Sequence, residues 1–413
     1  MSKQVTILAL GSRGDVQPCV ALGAALRAAG YHVRIATFEA FRTLAERHGL
    51  DFHAVPGDAG ALVEQAMGSG MGRRNPLTTM RGIRRSYGAL ITEYVGAFSS
   101  PALMDSDLIL NQLPGGLFGR DLAEKLGVPY AALAVIPLVP TRAFPIPLLL
   151  ARPLPGVPNR LTYTAASDLF WLLFRSASNR YRARLGLGPA PLRFRQAEGP
   201  VLCGFSPLVV PPPPDWGSQV HVTGWWTLDE PDWEPPADLI AFLEAGSPPV
   251  FIGFGSMTAP TPAALTEQII EAVTASGHRA VLSRGWADLG ATDLPETIFR
   301  LDYAPYDWLL PQMAAVIHHG GSGTTGAVLR SGVPGMVVPF AADQHFWGWR
   351  CAELGVALPP MPVQSLTTHG LAQAMNRLAG DAQRRERAEA LGKHLRAEKG
   401  VSQAVAFIRK LLP

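Results

Sequence analysis

The sequence predicts an α/β protein made of two doubly wound parallel sheets that face each other across a central cleft. Two observations carry that expectation. Short apolar, β-rich runs alternate with helical stretches closed by glycine, the pattern of a parallel sheet covered on both faces. Loops bearing glycine, serine and acid follow the strands in both halves of the chain, where such sheets bind their ligands. A chain of 413 residues is long enough for two such domains, each with its own core.

In the first half, residues 5–10 read as a buried strand. A loop over 11–17 follows, then a helix from near Pro18 that Gly30 closes. Residues 32–37 form the next strand, 38–48 a helix closed by Gly49, and 51–55 a short third strand. Strands over 108–110 and 129–134 flank a helix over 117–126 closed by Gly127. Residues 136–174 are irregular, mixing prolines with Phe144, Phe170, Trp171 and Phe174; they suit core packing or the lining of an apolar ligand pocket. Residues 201–205 read as the last strand of this domain, assigned 1–208. The run Pro211 to Pro214 makes 209–219 a stiff linker.

Residues 220–398 repeat the alternation. Strands are expected over 249–254, 279–283, 298–301, 316–318 and 336–338, with a helix over 262–275. Two helices, 371–378 and 382–399, close this domain. A terminal helix within 399–413 is expected to return to the first.

Composition narrows the partners. A formal charge of +3 is small for this length, so no nucleic-acid footprint is implied. Cys19, Cys203 and Cys351 are far apart and lack metal-ligand spacing, which fits buried reduced thiols in the cytoplasm. Seven prolines between Pro137 and Pro158 break the most apolar region, so it does not span a membrane. Arg73, Arg74, Arg81, Arg84 and Arg85 stand without an acid from 71 to 89; they read as a solvated face or as peripheral contact with an anionic membrane or acceptor.

Several loops carry candidate chemistry. His318-His319-Gly320-Gly321-Ser322-Gly323-Thr324-Thr325 is a strand end, a glycine-rich loop and a helix start. The free amides and positive dipole end of such a helix suit a phosphate, and glycines let the backbone come close. Asp15, after the first strand, could take a proton from a hydroxyl or cap the following helix. Ser256, in Ile252-Gly253-Phe254-Gly255-Ser256, could donate into the cleft or be merely solvated. Tyr303 could stack on a nucleobase with backbone near Ala304 bonding the base edge, or plug a turn. Asp343-Gln344 could read sugar hydroxyls or sit in a solvated loop.

Together the motifs GSRGDVQP (11–18), IGFGSM (252–257), YDWLLPQ (306–312), HHGGSGTTGA (318–327) and PFAADQ (339–344) resemble family 1 glycosyltransferases. The likeness is greatest to sterol glucosyltransferases and bacterial natural-product glycosyltransferases. It implies the GT-B fold, Rossmann-like in both domains, and metal-independent transfer with inversion and no cofactor beyond the nucleotide sugar. By position it implies Asp15 as base with Ser12 beside it, and His319 on the donor diphosphate. Gly321, Ser322, Gly323 and Thr324 then form the phosphate loop, with Asp343 and Gln344 on the sugar. The plant enzymes' catalytic His falls near Asp15 and their donor-domain Trp near Tyr303, so no His–Asp dyad is expected.

The expected activity is therefore transfer of a hexose, glucose from UDP-glucose, to a hydroxyl of an apolar acceptor such as a sterol, polyketide or flavonoid. A dTDP-deoxysugar donor is the rival within the class. A nucleotide-sugar epimerase and a non-catalytic partner are the rivals outside it.

Overall fold

The computed structural model describes residues 2–58, 60, 93–113, 118–149, 152–192, 199–230, 232–257, 262–285, 287–291 and 293–412. The arginine cluster at 73–85 lies outside the described residues. The chain divides into two compact units. The first contains Met1–Ile146, Pro153–Leu228 and Lys399–Pro413; the second contains Pro147–Arg152 and Asp229–Glu398.

The first unit is a parallel sheet of β1 (Gln4–Leu8), β2 (His32–Phe38), β3 (Asp51–Val55), β4 (Leu108–Leu113), β5 (Tyr130–Ala134), β6 (Val201–Cys203) and β7 (Val220–Val222), in the order β3-β2-β1-β4-β5-β6-β7. The strand order reverses between β1 and β4, whose register pairs Leu8 with Asn111. Val5, Ile7, Leu108, Ile109 and Leu110 are fully buried there, which is why these strands read as apolar runs.

Helix α1 (Arg13–Ala28) begins before Pro18, where a helix start was expected. Ser12 is its N-cap and Asp15 reaches back to the Ser12 amide, so capping sets the start. Pro18 sits inside the helix; the carbonyl it leaves without a partner belongs to Gly14, which is exposed to water. Helix α2 (Arg42–Arg47) and helix α3 (Gly119–Leu126) follow, α3 ending on left-handed Gly127.

Two expectations are corrected here. Starting inside the stretch expected to be irregular and running past its end, Val157–Leu185 forms the 29-residue helix α4. The prolines precede it or, as with Pro158, fall in its first turn, where no intrahelical N–H bond is lost. The expected linker and second-domain start are also misplaced. Val220–Val222 pairs with Val201–Cys203 as the last strand of this sheet, and Asp215 accepts from Thr141 Oγ1 (2.6 Å) and Arg142 N (2.8 Å). Prolines at 211–214 stiffen the path between two strands of one sheet. The C-terminal helix Gly400–Leu411 belongs to this unit and packs along α1, with Ala404 and Ile408 fully buried.

The second unit is a parallel sheet of β8 (Val250–Gly253), β9 (Ala280–Ser283), β10 (Ile298–Leu301), β11 (Ala315–His318), β12 (Gly335–Val337) and β13 (Ala357–Leu358), in the order β10-β9-β8-β11-β12-β13. Its order reverses between β8 and β11, where His318 pairs with Gly253. Helices α5 (Ala237–Glu244), α6 (Pro262–Ser276), α7 (Ser322–Ser331), α8 (Gln344–Glu353), α9 (Thr368–Gly380) and α10 (Ala382–Ala397) accompany it. Leu239, Phe251, Val281, Leu309 and Val316 fill part of its core without exposure.

Candidate active site

Each sheet reverses its strand order once, and open α/β sheets bind ligands outside the carboxyl ends of the strands at that reversal. In the first unit the reversal brings the residues after β1 beside the end of β4. Asp15 is the third residue of α1. Its Oδ2 accepts from Ser12 N (2.8 Å) and Ser12 Oγ (3.0 Å), and its Oδ1 accepts from Gln112 Nε2 (3.1 Å). The N-cap is thus Ser12, with Asp15 supporting it from the third position and its carboxylate lying at the strand ends. Only glycine fits at position 11, where φ is +138° and a Cβ would lie 2.4 Å from Asp15 Oδ2.

Burial raises the Asp15 pKa above the ordinary carboxylate value; the Ser12 and Gln112 hydrogen bonds oppose that but do not cancel it. Such a carboxylate is a stronger proton acceptor than a free aspartate, which suits a general base. Gln112 was missed from sequence because the strand was expected to end at residue 110. The usable signal was a polar pair, Asn111-Gln112, ending an apolar strand.

In the second unit the reversal gathers the loop after β8, His318, His319 and the start of α7. Helix α7 has Gly321 as N-cap and no side-chain cap, and its positive dipole end lies at this reversal. Ser322 is buried, Gly323 exposed and Thr324 half-buried. The His319 ring is only 7% exposed and lies between two glycines: a Cβ at Gly255 would be 2.8 Å from its Cε1, and one at Gly321 2.6 Å from its Nε2. Its Nδ1 is buried with no hydrogen-bond partner among the described residues. Desolvation lowers the His319 pKa to about 4, with the Gly253 backbone pulling the other way, so the ring is neutral at physiological pH. His318 is lowered further, to about 3, by desolvation and then by His319; its Nδ1 accepts from Gly320 N (3.2 Å) and shapes the loop.

Ser256 is half-buried in the turn after β8. The next residue, Met257, meets Gln344, whose Nε2 lies 3.0 Å from Met257 Sδ. Gln344 is 4% exposed, and its Oε1 accepts from Phe340 N (2.7 Å) and Ala341 N (3.1 Å). Its carboxamide is thus engaged in holding the 340–344 turn, a use the sequence reading did not anticipate. Ala342 in that turn has φ +54°, a left-handed conformation rare for alanine. Asp343 is the N-cap of α8 and its Oδ2 accepts from Trp347 Nε1 (2.8 Å).

Tyr303 and Ala304 stand apart from this group, after the edge strand β10, two strands from β8. Tyr303 is 39% exposed and its hydroxyl donates to Glu230, while Ala304 is buried in the core. The structure thus gathers His319, Gly321, Ser322, Ser256 and Gln344 around one strand reversal, and Ser12 and Asp15 around the other.

Residues 5–145 match the glycosyltransferase family 28 N-terminal domain, and residues 267–406 match the erythromycin biosynthesis protein CIII-like C-terminal domain. A sterol 3-beta-glucosyltransferase of Cryptococcus neoformans var. neoformans is 35% identical over 433 residues, covering 98% of this chain and 27% of its own length. The chain therefore spans about a quarter of that relative. Among solved structures, the glycotransferase of kitacinnamycin superposes with a TM-score of 0.70 at 20% identity, over 100% of this chain and 99% of the other. The glycosyltransferase VinC, solved in complex with dTDP, gives 0.65 at 20% identity over 99% of each chain. The two domain matches, the glucosyltransferase relative and the fold agree: the chain belongs to the family 1 glycosyltransferases and has the GT-B fold.

Proposed function

We propose that this chain is an inverting, metal-independent hexosyltransferase that moves glucose from UDP-glucose to a hydroxyl of an apolar acceptor. One observation carries the reading. One strand reversal holds a half-buried carboxylate of raised pKa, and the other holds a helix N-terminus without a side-chain cap beside a neutral histidine whose Nδ1 has no hydrogen-bond partner among the described residues. The first suits proton removal from a hydroxyl; the second suits a diphosphate.

In this reaction Asp15 takes the proton of the acceptor hydroxyl. The oxygen attacks the anomeric carbon as the bond to the diphosphate breaks, which inverts that centre. The α7 amides, Ser322, Thr324 and neutral His319 meet the charge gathering on the departing diphosphate through hydrogen bonds. His319 acts there as a dipole and donor, since its lowered pKa leaves it uncharged. Asp343, at the start of α8, reads the sugar, and Gln344 holds the turn that presents it. Tyr303 carries the base. Ser256 donates from the β8 loop.

The glucosyltransferase relative favours glucose and a sterol-like acceptor. A dTDP-linked deoxysugar is the second reading, and the neighbour VinC was solved with dTDP. Among the described residues no helix is long and apolar enough to cross a membrane, and we place the enzyme in the cytoplasm with at most peripheral membrane contact. The test is nucleoside diphosphate release and product mass with UDP-glucose, dTDP-glucose and a dTDP-deoxysugar against sterol, flavonoid and macrolide acceptors. Glycoside formed fastest from UDP-glucose with an apolar acceptor is expected. Turnover with dTDP donors alone selects the second reading, and donor epimerisation without acceptor removes the transferase reading.

A further inference from the structure

Asp15 is held by two elements that are distant in sequence. Ser12, on its own helix start, fixes Oδ2, and Gln112, at the end of β4, fixes Oδ1. Gln112 is 1% exposed, and its Nε2 divides its two hydrogens between Asp15 Oδ1 (3.1 Å) and Leu113 O (2.6 Å). Both partners are acceptors, so the amide must present its nitrogen to them; the flipped amide would set oxygen against two oxygens. That choice leaves Gln112 Oε1 buried with no partner among the described residues. An orphaned buried acceptor is destabilising, and folds retain one where the arrangement serves a purpose.

We infer that Gln112 is a positioning residue for the Asp15 base, setting the plane of its carboxylate and favouring its ionised form. The inference rests on the proposed role of Asp15. A carboxylate held at Oδ2 alone can rotate about its Cβ–Cγ bond, and the second anchor removes that freedom. Burial raises the Asp15 pKa, and the Gln112 hydrogen bond works against the rise. Among the described residues no charged side chain contributes to that balance. The nearby titratable group is Cys19, whose Sγ donates to Asp15 O (3.4 Å) and whose thiol burial keeps neutral; the Arg13 Nε turns to Gln17 Oε1 (2.9 Å).

The sign follows directly. Losing a donor that favours the carboxylate moves the Asp15 midpoint up, so the acid limb of the rate profile moves up with it. Gln112→Met, which keeps the length and removes the donor, is expected to shift that limb by about one pH unit. It should also lower kcat about tenfold and leave the donor KM within about twofold. Carbon-13 carboxyl NMR, with Asp15 assigned through Asp15→Asn, reads the same midpoint without turnover. Should Gln112→Met fail to fold, Gln112→Glu carries the test: two carboxyls sharing a proton push the midpoint up further. An unmoved midpoint and kcat in the folded variant overturn the inference while an inactive Asp15→Asn leaves the base assignment standing. An Asp15→Asn variant that keeps its turnover removes both.

Discussion

The two strand reversals share a plan and differ in chemistry. Each brings the end of one strand, β1 or β8, beside the end of another, β4 or β11, with a helix starting in the loop. At the first, the helix is capped from within: Ser12 and Asp15 close the N-terminus of α1, so its amides are spent on the protein itself. At the second, Gly321 provides no side-chain cap, and an anion is the proposed ligand of the α7 N-terminus. The same element thus carries its own carboxylate in one unit and has none in its first turn in the other. Capping decides which, and it is written in two residues, Ser12 and Gly321.

The largest effect expected from breaking this contrast is at Asp15. Asp15→Asn keeps the size and an acceptor for the Ser12 amide but removes the base, and kcat should fall about 10²- to 10⁴-fold. Because burial raises the Asp15 pKa, wild-type activity should climb with pH through a midpoint above the ordinary aspartate value. The residual activity of the variant should lack that limb. A rate–pH profile of both proteins checks the pair of expectations.

The second effect is at His319. His319→Ala should weaken donor turnover about 10²-fold by removing a donor from the diphosphate site, read by steady-state kinetics. The same variant tests the electrostatics. A histidine whose pKa is about 4 folded and about 6.5 unfolded binds its proton more readily when unfolded, so stability falls as pH drops through that window. Each of His318 and His319 contributes a slope of up to about 1.4 kcal/mol per pH unit there. Denaturant melts at several pH values should show a shallower acid loss for His319→Ala.

The smallest effect is at Gln344. Gln344→Leu strands the amides of Phe340 and Ala341, and should lower stability by about 1–3 kcal/mol in a denaturant melt. Turnover with donor should drop less than in His319→Ala, because Gln344 holds the turn while Asp343 is the proposed sugar contact.

Much of the fold could be read from residues. Alternating apolar runs and glycine stops gave the strand sequence, since a doubly covered parallel strand has to be apolar throughout. The helix start at Ser12 was harder. Pro18 is a strong start signal, and the capping pair outweighs it through hydrogen bonds that propensity does not weigh. Helix α4 was hidden by the prolines crowded before it, and β7 by the proline run at 211–214 that resembles a linker. In the site, the glycine-rich loop and Asp15 were legible because their chemistry is local. Gln112 was not, because its partner is 97 positions away and only the sheet register brings the two together.

The C-terminal helix has a consequence for synthesis. Gly400 packs so closely on the first unit that a Cβ there would lie 2.6 Å from the Gly224 carbonyl carbon, and Ala404 and Ile408 complete the core beside α1. The first unit therefore lacks a wall until residues 399–413 reach it. Residues 229–398 emerge earlier as one nearly unbroken stretch and can fold on the nascent chain, whereas the first unit waits on a closure of great sequence separation.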